Sequence, residues 1–144
     1  MGKDIKQRVT IHATPTRVFE ALMDSKKHAA FTKAPAQISR KVGGKFTAYG
    51  PYIEGINVEL IKGKRIVQAW RGNDWPKGVY SIATFELSGE LGGKTKLVFS
   101  QSGVPTKHVK GIEKGWKDFY WDKLKDHFAP PARAKAAKRP ARRR

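Results

Sequence analysis

Residues 107–128 read KHVKGIEKGWKDFYWDKLKDHF. Large apolar side chains recur in this segment at intervals of three and four residues, the spacing that places them on one face of a helix. A helix of this length spans roughly 30 Å, enough to cross a whole curved sheet. The pattern therefore predicts one long amphipathic helix. Its predicted apolar face consists of Val109, Ile112, Trp116, Phe119, Tyr120, Leu124 and Phe128.

The sequence before this helix consists mainly of segments with the residue pattern of β-strands. Residues 5–11 alternate apolar and polar side chains, which predicts a half-buried strand. Thr14 and Pro15 then form a typical helix start, with a capping residue followed by proline at the first helical position. A second short helix is predicted at about residues 25–31. Glycine-containing turns separate six further strand candidates, near 37–40, 45–49, 53–61, 64–71, 79–88 and 94–101.

This order of elements predicts an α+β fold. Short spacing between strands with tight turns indicates an antiparallel meander. A sheet that buries one face against a single long helix is a common two-layer design. We expect a curved antiparallel sheet of about six to seven strands wrapped around the long helix, with two short helices after the first strand. A sheet curved around a helix also leaves a space between the two.

Charge divides the chain into two parts. Lys plus Arg number 30 and Asp plus Glu number 12, giving a net charge of +18. Seven of the cations and none of the acids lie in residues 129–144, a segment of alanine, proline and basic residues that has no large apolar side chain. Such a composition cannot offset its ordering entropy. We predict a domain over residues 1–128 and a disordered basic tail over residues 129–144.

Several classes of protein are excluded or disfavoured. The chain has no cysteine, which excludes disulfide scaffolds, thiolate zinc sites and thiol catalysis, and fits a cytoplasmic location. No apolar run approaches the roughly 20 residues of a membrane-spanning helix, so no transmembrane segment is expected. The four histidines show no metal-ligand spacing, and no nucleophile elbow, phosphate loop or dinucleotide motif is present. No catalytic residue, metal site or cofactor is predicted, and an enzymatic role has the least support.

Aromatic residues are the main candidates for a binding site. Ligand sites are typically apolar concavities with a few polar anchors. Seven aromatic side chains either line the space between sheet and helix or simply fill the core, and the sequence leaves both readings open. Arg71, Gln101 and Asn73 are candidate anchors, although Arg71 is equally expected to pair with a surface acid. The aromatic candidates are Tyr49, Trp70, Trp75, Phe85, Phe99, Trp116 and Tyr120.

Two further features suggest macromolecular partners. Trp121 lies off the centre of the apolar helix face, so it either caps the edge of the core or forms part of an exposed contact patch. The basic tail predicts non-specific contact with nucleic-acid phosphates or with an anionic membrane. Its candidate partner-binding residues include Arg139, Arg142, Arg143 and Arg144.

Several segments, in their order along the chain, resemble a known family. They are TIHATPTRVFEALMD (10–24), GGKFTAYG (43–50), IVQAWRGNDWPKGVYSIATFEL (66–87), GGKTKLVFSQSGVP (92–105) and GWKDFYWDKLKDHF (115–128). Over residues 1–128 the chain resembles the START-like (SRPBCC) superfamily with its Bet v 1-type helix-grip fold. Within it, the chain is similar to the family of homologues of the heat-shock protein 90 ATPase activator.

The resemblance implies the helix-grip fold and three kinds of role. Members of the superfamily carry hydrophobic ligands, cyclise or dehydrate polyketides, or act as co-chaperones. Our leading hypothesis is a protein that binds a small hydrophobic or amphipathic ligand in an apolar cavity between the sheet and the long helix. The first alternative is a co-chaperone-like interaction module with a chaperone partner. The second is nucleic-acid association through the basic tail.

Overall fold

Seven antiparallel strands form a single sheet in the computed structural model, which describes residues 4–129. The sheet order is β1-β7-β6-β5-β4-β3-β2. The chain therefore meanders from β2 to β7, and β1 pairs with β7 at the far edge, where Val9 lies opposite Leu97. The strands are β1 (Ile5–Ile11), β2 (Ala36–Ile38), β3 (Lys45–Ala48), β4 (Ile53–Ile61), β5 (Arg65–Gly72), β6 (Ser81–Glu90) and β7 (Lys94–Ser102).

Two short helices link β1 to the meander. Helix α1 (Pro15–Met23) begins as predicted, because the Thr14 hydroxyl accepts a hydrogen bond from the main-chain N–H of Arg17 and Pro15 occupies the first turn. The Asp24 carboxylate caps α2 (Ser25–Thr32) in the same way, accepting from the main-chain N–H of Lys27 at 3.0 Å. The predicted pair of helices after the first strand is confirmed.

The last helical region is not regular along its length. A 3₁₀ turn (Thr106–His108) leads into α3 (Val109–Trp116), a π-helical turn (Lys117–Trp121) and α4 (Asp122–His127). In the π-helical turn the main-chain N–H of Asp122 donates to the carbonyl of Lys117, five residues back. Residues 109–127 form one continuous rod, here called the long helix. The predicted helix is confirmed in extent, whereas its predicted α-helical regularity is wrong.

The π-helical turn changes which side chains face the core. An extra residue in one turn rotates the following side chains, so residues five apart share a face. Trp121 consequently lies beneath Trp116, with ring centroids 5.4 Å apart and planes inclined by 18°. Trp121 is 4% exposed and packs against Phe99 at 5.3 Å, so it belongs to the core and its interpretation as an exposed contact residue is wrong. Phe119, predicted on the apolar face, is 52% exposed instead.

The core lies between the inner face of the sheet and the long helix. Phe85 and Phe99 project from β6 and β7 and pack against each other at 5.1 Å. Trp116 covers them from the helix, 4.3 Å from the ring of Phe99. A curved antiparallel sheet gripping a long helix is therefore confirmed as the fold class. Within residues 4–129 no helix is long and apolar enough to cross a membrane. The predicted tail, Ala129 apart, lies outside the described residues.

Candidate ligand-binding cleft

A cleft of about 530 Å³ lies between the sheet and the first half of the long helix. The end of the sheet formed by β3, β4 and β5 supplies one wall, and the long helix with the 3₁₀ turn before it supplies the other. The sheet side contributes Tyr49, Tyr52, Ile53, Trp70 and, from the following loop, Asp74. The helix side contributes Lys107, His108, Gly111, Ile112, Gly115, Trp116, Phe119 and Tyr120.

Tyr49 reaches across the cleft from the end of β3. Its φ angle of 52° is in the left-handed region, which is uncommon for a residue with a side chain. The Tyr49 hydroxyl donates a hydrogen bond to the main-chain carbonyl of Phe119, in the π-helical turn. Its ring packs against Phe119 at 5.6 Å. Burial raises the pKa of Tyr49 to about 12, so the hydroxyl keeps its proton at physiological pH.

Tyr120 and His28 form a buried polar pair beside the cleft. The Tyr120 hydroxyl and His28 Nε2 are 3.1 Å apart, and both side chains are buried. Burial lowers the pKa of His28 to about 4, because the charged imidazolium loses its hydration. Burial also raises the pKa of Tyr120 above its ordinary value. Both groups are therefore uncharged at physiological pH.

Trp70 and Trp116 form the inner wall of the cleft, as predicted. Their ring centroids are 5.6 Å apart. Trp116 Nε1 donates to Gln101 Oε1 at 2.7 Å, and Gln101 Nε2 donates to the Ser81 hydroxyl at 2.9 Å. Gln101, predicted as a ligand anchor, therefore orients Trp116 from beneath and does not line the cleft.

Phe85 and Phe99 do not line the cleft either. Both are buried behind Trp116, and Phe85 borders only a separate void of about 20 Å³. Of the seven aromatic candidates, three follow the core-filling interpretation, these two and Trp75. The physical reason is that the indole of Trp116 lies over the ring of Phe99 and separates it from the open space.

Arg71 and Trp75 belong to the loop beside the cleft. Arg71 donates to the Glu54 carboxylate at 2.6 Å and to the carbonyls of Trp75 and Val79 at 2.8 and 3.3 Å. This confirms its pairing with an acid and takes it out of the cleft lining, contrary to its prediction as an anchor. Asn73, the third candidate anchor, is exposed and also does not line the cleft. Trp75 is 4% exposed and packs against Trp70 at 5.5 Å, so it supports the wall from behind.

The structure brings four of the predicted site residues together in the cleft: Tyr49, Trp70, Trp116 and Tyr120. The sequence reasoning missed the polar lining and the small residues. One available signal was the spacing of Gly111 and Gly115, one helical turn apart inside a predicted helix.

Of the predicted partner contacts, Trp121 is buried and donates its Nε1–H to Gln7 Oε1 at 2.6 Å. Arg139, Arg142, Arg143 and Arg144 lie outside the described residues.

The cleft lining is mainly carbon, with few ionisable groups. Asp74 is the carboxylate and Lys107 the ammonium group among the lining residues. Asp74 lies close to the Tyr52 hydroxyl, and burial together with this carboxylate raises the pKa of Tyr52. Among residues 4–129 no three histidine or acidic side chains are grouped so that they could hold a metal ion. The arrangement offers an aromatic surface with a polar rim.

Comparison with known proteins identifies the family. Residues 12–129 match the model of the family described as activator of Hsp90 ATPase homolog 1-like proteins. The chain belongs to this family. It is 32% identical over 127 residues to an activator of 90 kDa heat shock protein ATPase homolog from Dictyostelium discoideum, covering 88% of this chain and 33% of that protein. Identity to the human homolog 1 is 28% over 129 residues, 90% of this chain and 38% of the human protein.

Solved structures agree with the fold. An HSP90 activator from Plasmodium falciparum superposes with a TM-score of 0.80 at 24% identity, covering 85% of this chain and 94% of that one. The Aha1 dimer from Colwellia psychrerythraea superposes with a TM-score of 0.74 at 20% identity, covering 88% and 96%. At these identities the likeness shows the fold alone. The chain spans about a third of the length of the curated relatives it matches.

Proposed function

We propose that this chain is a cytoplasmic small-ligand-binding domain, which holds an apolar or amphipathic molecule in the aromatic cleft. The observation that carries the proposal is the cleft of about 530 Å³. Pockets that bind small molecules typically measure about 300–1,000 Å³ and are mostly apolar. The cleft has both properties, and it lies between the sheet and the first half of the long helix.

The energetics favour an apolar occupant. The faces of Tyr49, Trp70 and Trp116 contribute apolar surface to the cleft, and water at such a surface is displaced at a gain of about 25 cal/mol per Å². Aromatic faces also add specific stacking contacts. The phenols beside these rings are protonated, because burial raises the pKa of Tyr49 and Tyr120. They add no charge to the lining, and their hydroxyls are already bonded within the protein, Tyr49 to the carbonyl of Phe119 and Tyr120 to His28.

A thermal-shift experiment tests the proposal. Wild-type protein is screened against fatty acids, flat aromatic acids and sterols. A true ligand at 100 times its Kd stabilises the folded state by about 2.7 kcal/mol and raises Tm. The blocking variant is Gly111→Leu, since Gly111 lines the cleft and an added Cβ there meets nothing within 4 Å, so the larger side chain is expected to occupy part of the cleft. The matched control is Lys110→Leu, at an exposed neighbouring position on the same helix.

We expect at least one compound class to raise Tm in the wild type and in Lys110→Leu, and to lose this effect in Gly111→Leu. The proposal would be contradicted if no compound shifts the wild-type Tm. It would also be contradicted if Gly111→Leu responds as the wild type does, because the bound compound would then lie outside the cleft.

A second candidate function is association with a chaperone of the 90 kDa heat-shock class. The supporting observation is membership of a family whose curated relatives are named as activators of that protein's ATPase. Exposed lysines along the long helix, Lys110, Lys114 and Lys117, would suit an acidic partner face.

Binding to a purified chaperone of this class tests the second candidate. We expect a complex at low salt that weakens as the salt concentration rises. Lys110→Glu should weaken it further, while Lys77→Glu, an exposed position in the loop between β5 and β6, should not. No complex at low salt, or equal effects of the two substitutions, would count against this candidate. Nucleic-acid association through residues 129–144 stays a prediction from the sequence.

A further inference from the structure

Two glycines shape the helical wall of the cleft. Gly111 and Gly115 both line it, one helical turn apart. A Cβ added at Gly111 would meet nothing within 4 Å, and one added at Gly115 would meet only the Phe119 ring, at 3.8 Å, an ordinary van der Waals distance. Alanine therefore fits at either position without a clash. The space that the missing methyl groups leave belongs to the cleft.

These glycines are unfavourable for the helix itself. Glycine in a helix interior is less stable than alanine, because it loses more backbone freedom on folding. The methyl group of an alanine at either position would stabilise the helix, and the same methyl group would enter the cleft. Lys107, Gly111, Gly115 and Phe119 follow at intervals of four residues and all line the cleft. We call these four residues the glycine stripe.

The glycine stripe faces an aromatic wall. At its centre the glycine stripe offers backbone and no side chain to the cleft, between neighbours such as Ile112 and Trp116, while Tyr49, Tyr52 and Trp70 line the cleft from the sheet side. A slot between a flat helical surface and aromatic rings suits a planar ring system, which can stack on the rings and approach the backbone closely. A flexible alkyl chain gains less from such a slot, because it must lose more conformational freedom to enter it.

Charge at the rim favours an anionic group on the ligand. Lys107 is exposed at one end of the glycine stripe and takes part in none of the ion pairs found among residues 4–129. Asp74, the carboxylate of the lining, lies close to the Tyr52 hydroxyl, since a Cβ added at Gly72 would lie within 3.1 Å of both. The net charge of the chain, +18, adds a long-range attraction for anions.

We propose that the cleft selects a planar aromatic anion, with its rings against Gly111 and Gly115 and its anionic group towards Lys107. This inference rests on the proposed ligand-binding function and specifies its ligand class. Gly111 and Gly115 are then specificity-determining residues, since their missing side chains set the width of the slot.

Titration of the full chain with matched probes tests the inference. The probes are pyrene-1-carboxylate, which is planar and anionic, hexadecanoate, which is flexible and anionic, and pyrene-1-methylammonium, which is planar and cationic. Binding is followed by the amide NMR signals of Gly111 and Gly115 and by isothermal calorimetry. We expect the planar anion to bind about tenfold or more tightly than either of the others. It should shift both glycine signals.

The variants Gly111→Ala and Gly115→Ala separate stability from binding. Each should raise Tm by about 2–4 °C through helix propensity. Each should weaken pyrene-1-carboxylate about tenfold. The control Lys110→Ala changes an exposed residue outside the lining and should leave binding unchanged. Lys107→Gln should weaken the two anions but not the cation, and it provides a test that does not depend on the glycine variants.

The possible results distinguish this inference from the proposed function. Equal binding of hexadecanoate and pyrene-1-carboxylate, or alanine variants that bind as the wild type does, would overturn the ligand class and leave a binding cleft standing. Cation binding as strong as anion binding would overturn the role of Lys107. A wild-type protein that binds no probe, and shows no thermal shift with any compound class, would overturn the proposed function and this inference together.

Discussion

His28 shows how burial alone can move the titration of a single residue. Its imidazole is 3% exposed and contacts Phe31 and Tyr120, at centroid distances of 5.1 and 5.4 Å. Nε2 faces the Tyr120 hydroxyl, whereas Nδ1 has no hydrogen-bond partner among residues 4–129. Protonation would place an unpaired cation in this apolar setting. The local sequence does not predict this burial, because the Tyr120 hydroxyl that Nε2 faces comes from the long helix, 92 residues further along the chain.

We predict that His28 makes stability depend on pH between about 6.5 and 4. In the unfolded chain the imidazole takes up its proton near pH 6.5, and in the folded protein near pH 4. Between these values the unfolded state binds more protons, so the free energy of unfolding falls as pH falls. The full effect is about 3 kcal/mol, complete once the pH is below both pKa values.

Urea denaturation of the wild type and His28→Gln across this pH range measures the effect. Glutamine cannot titrate but can still meet the Tyr120 hydroxyl. Surface carboxylates with lowered pKa, such as Glu20 and Asp118, contribute to both proteins and cancel in the difference. Equal pH dependence in the two proteins would show that His28 does not titrate with the shift described.

At the scale of elements, the long helix shows which features the sequence predicts and which it does not. Apolar spacing predicted the extent of the helix, since that spacing follows directly from helix geometry. The π-helical turn could not be predicted, because its partners come from distant elements. Tyr49 donates to the carbonyl of Phe119, and Gln7 of β1 accepts from the indole of Trp121. A regular helix could not bring Trp116 and Trp121 onto one face.

Truncating two aromatic residues of the long helix, one at a time, tests whether the π-helical turn places Trp121 in the core in place of Phe119. We predict that Trp121→Ala lowers the free energy of unfolding by about 3–5 kcal/mol, as for other buried aromatic residues. Phe119→Ala should cost no more than about 1 kcal/mol, because the Phe119 side chain is half exposed. Guanidinium denaturation compares the two variants directly. A larger loss for Phe119→Ala would indicate a regular helix with Phe119 in the core.

The same limit applies to the candidate site. The aromatic residues that line the cleft and those that fill the core have the same sequence signature, since both lie on apolar faces. Phe99 lies against Trp116 and fills the core, whereas Trp70 lines the cleft, and nothing in the local sequence distinguishes the two. The polar rim, including Asp74 and Lys107, comes from loops whose approach to one another depends on the finished fold. Glycines inside a predicted helix were the most informative local signal of free space.

At the scale of the whole molecule, charge is the dominant property. Residues 1–128 carry 23 cations and 12 acids, and residues 129–144 add seven cations. The match to the family covers residues 12–129 and so leaves nearly all of the tail outside it. The effect of the tail on binding can therefore be separated from the effect of the domain.

We predict that residues 129–144 account for most of the affinity of the chain for duplex DNA. If all seven cations contact phosphates, the slope of log K against log salt is about −6. Replacing the seven cations by glutamine in the full chain should remove most of that slope and leave the thermal stability of the domain unchanged. Fluorescence anisotropy over a range of salt concentrations measures this. An unchanged slope would assign DNA binding to the domain surface instead.

Native mass spectrometry of protein purified in high salt tests the central claim, a ligand held in the cleft, most directly. High salt removes nucleic acid held by phosphate contacts. We predict a small molecule retained at one per chain in the wild type, absent from Gly111→Leu, and identifiable after organic extraction. A wild-type protein that is empty after purification, and stays empty when offered the compounds that suit an aromatic cleft, would contradict the account.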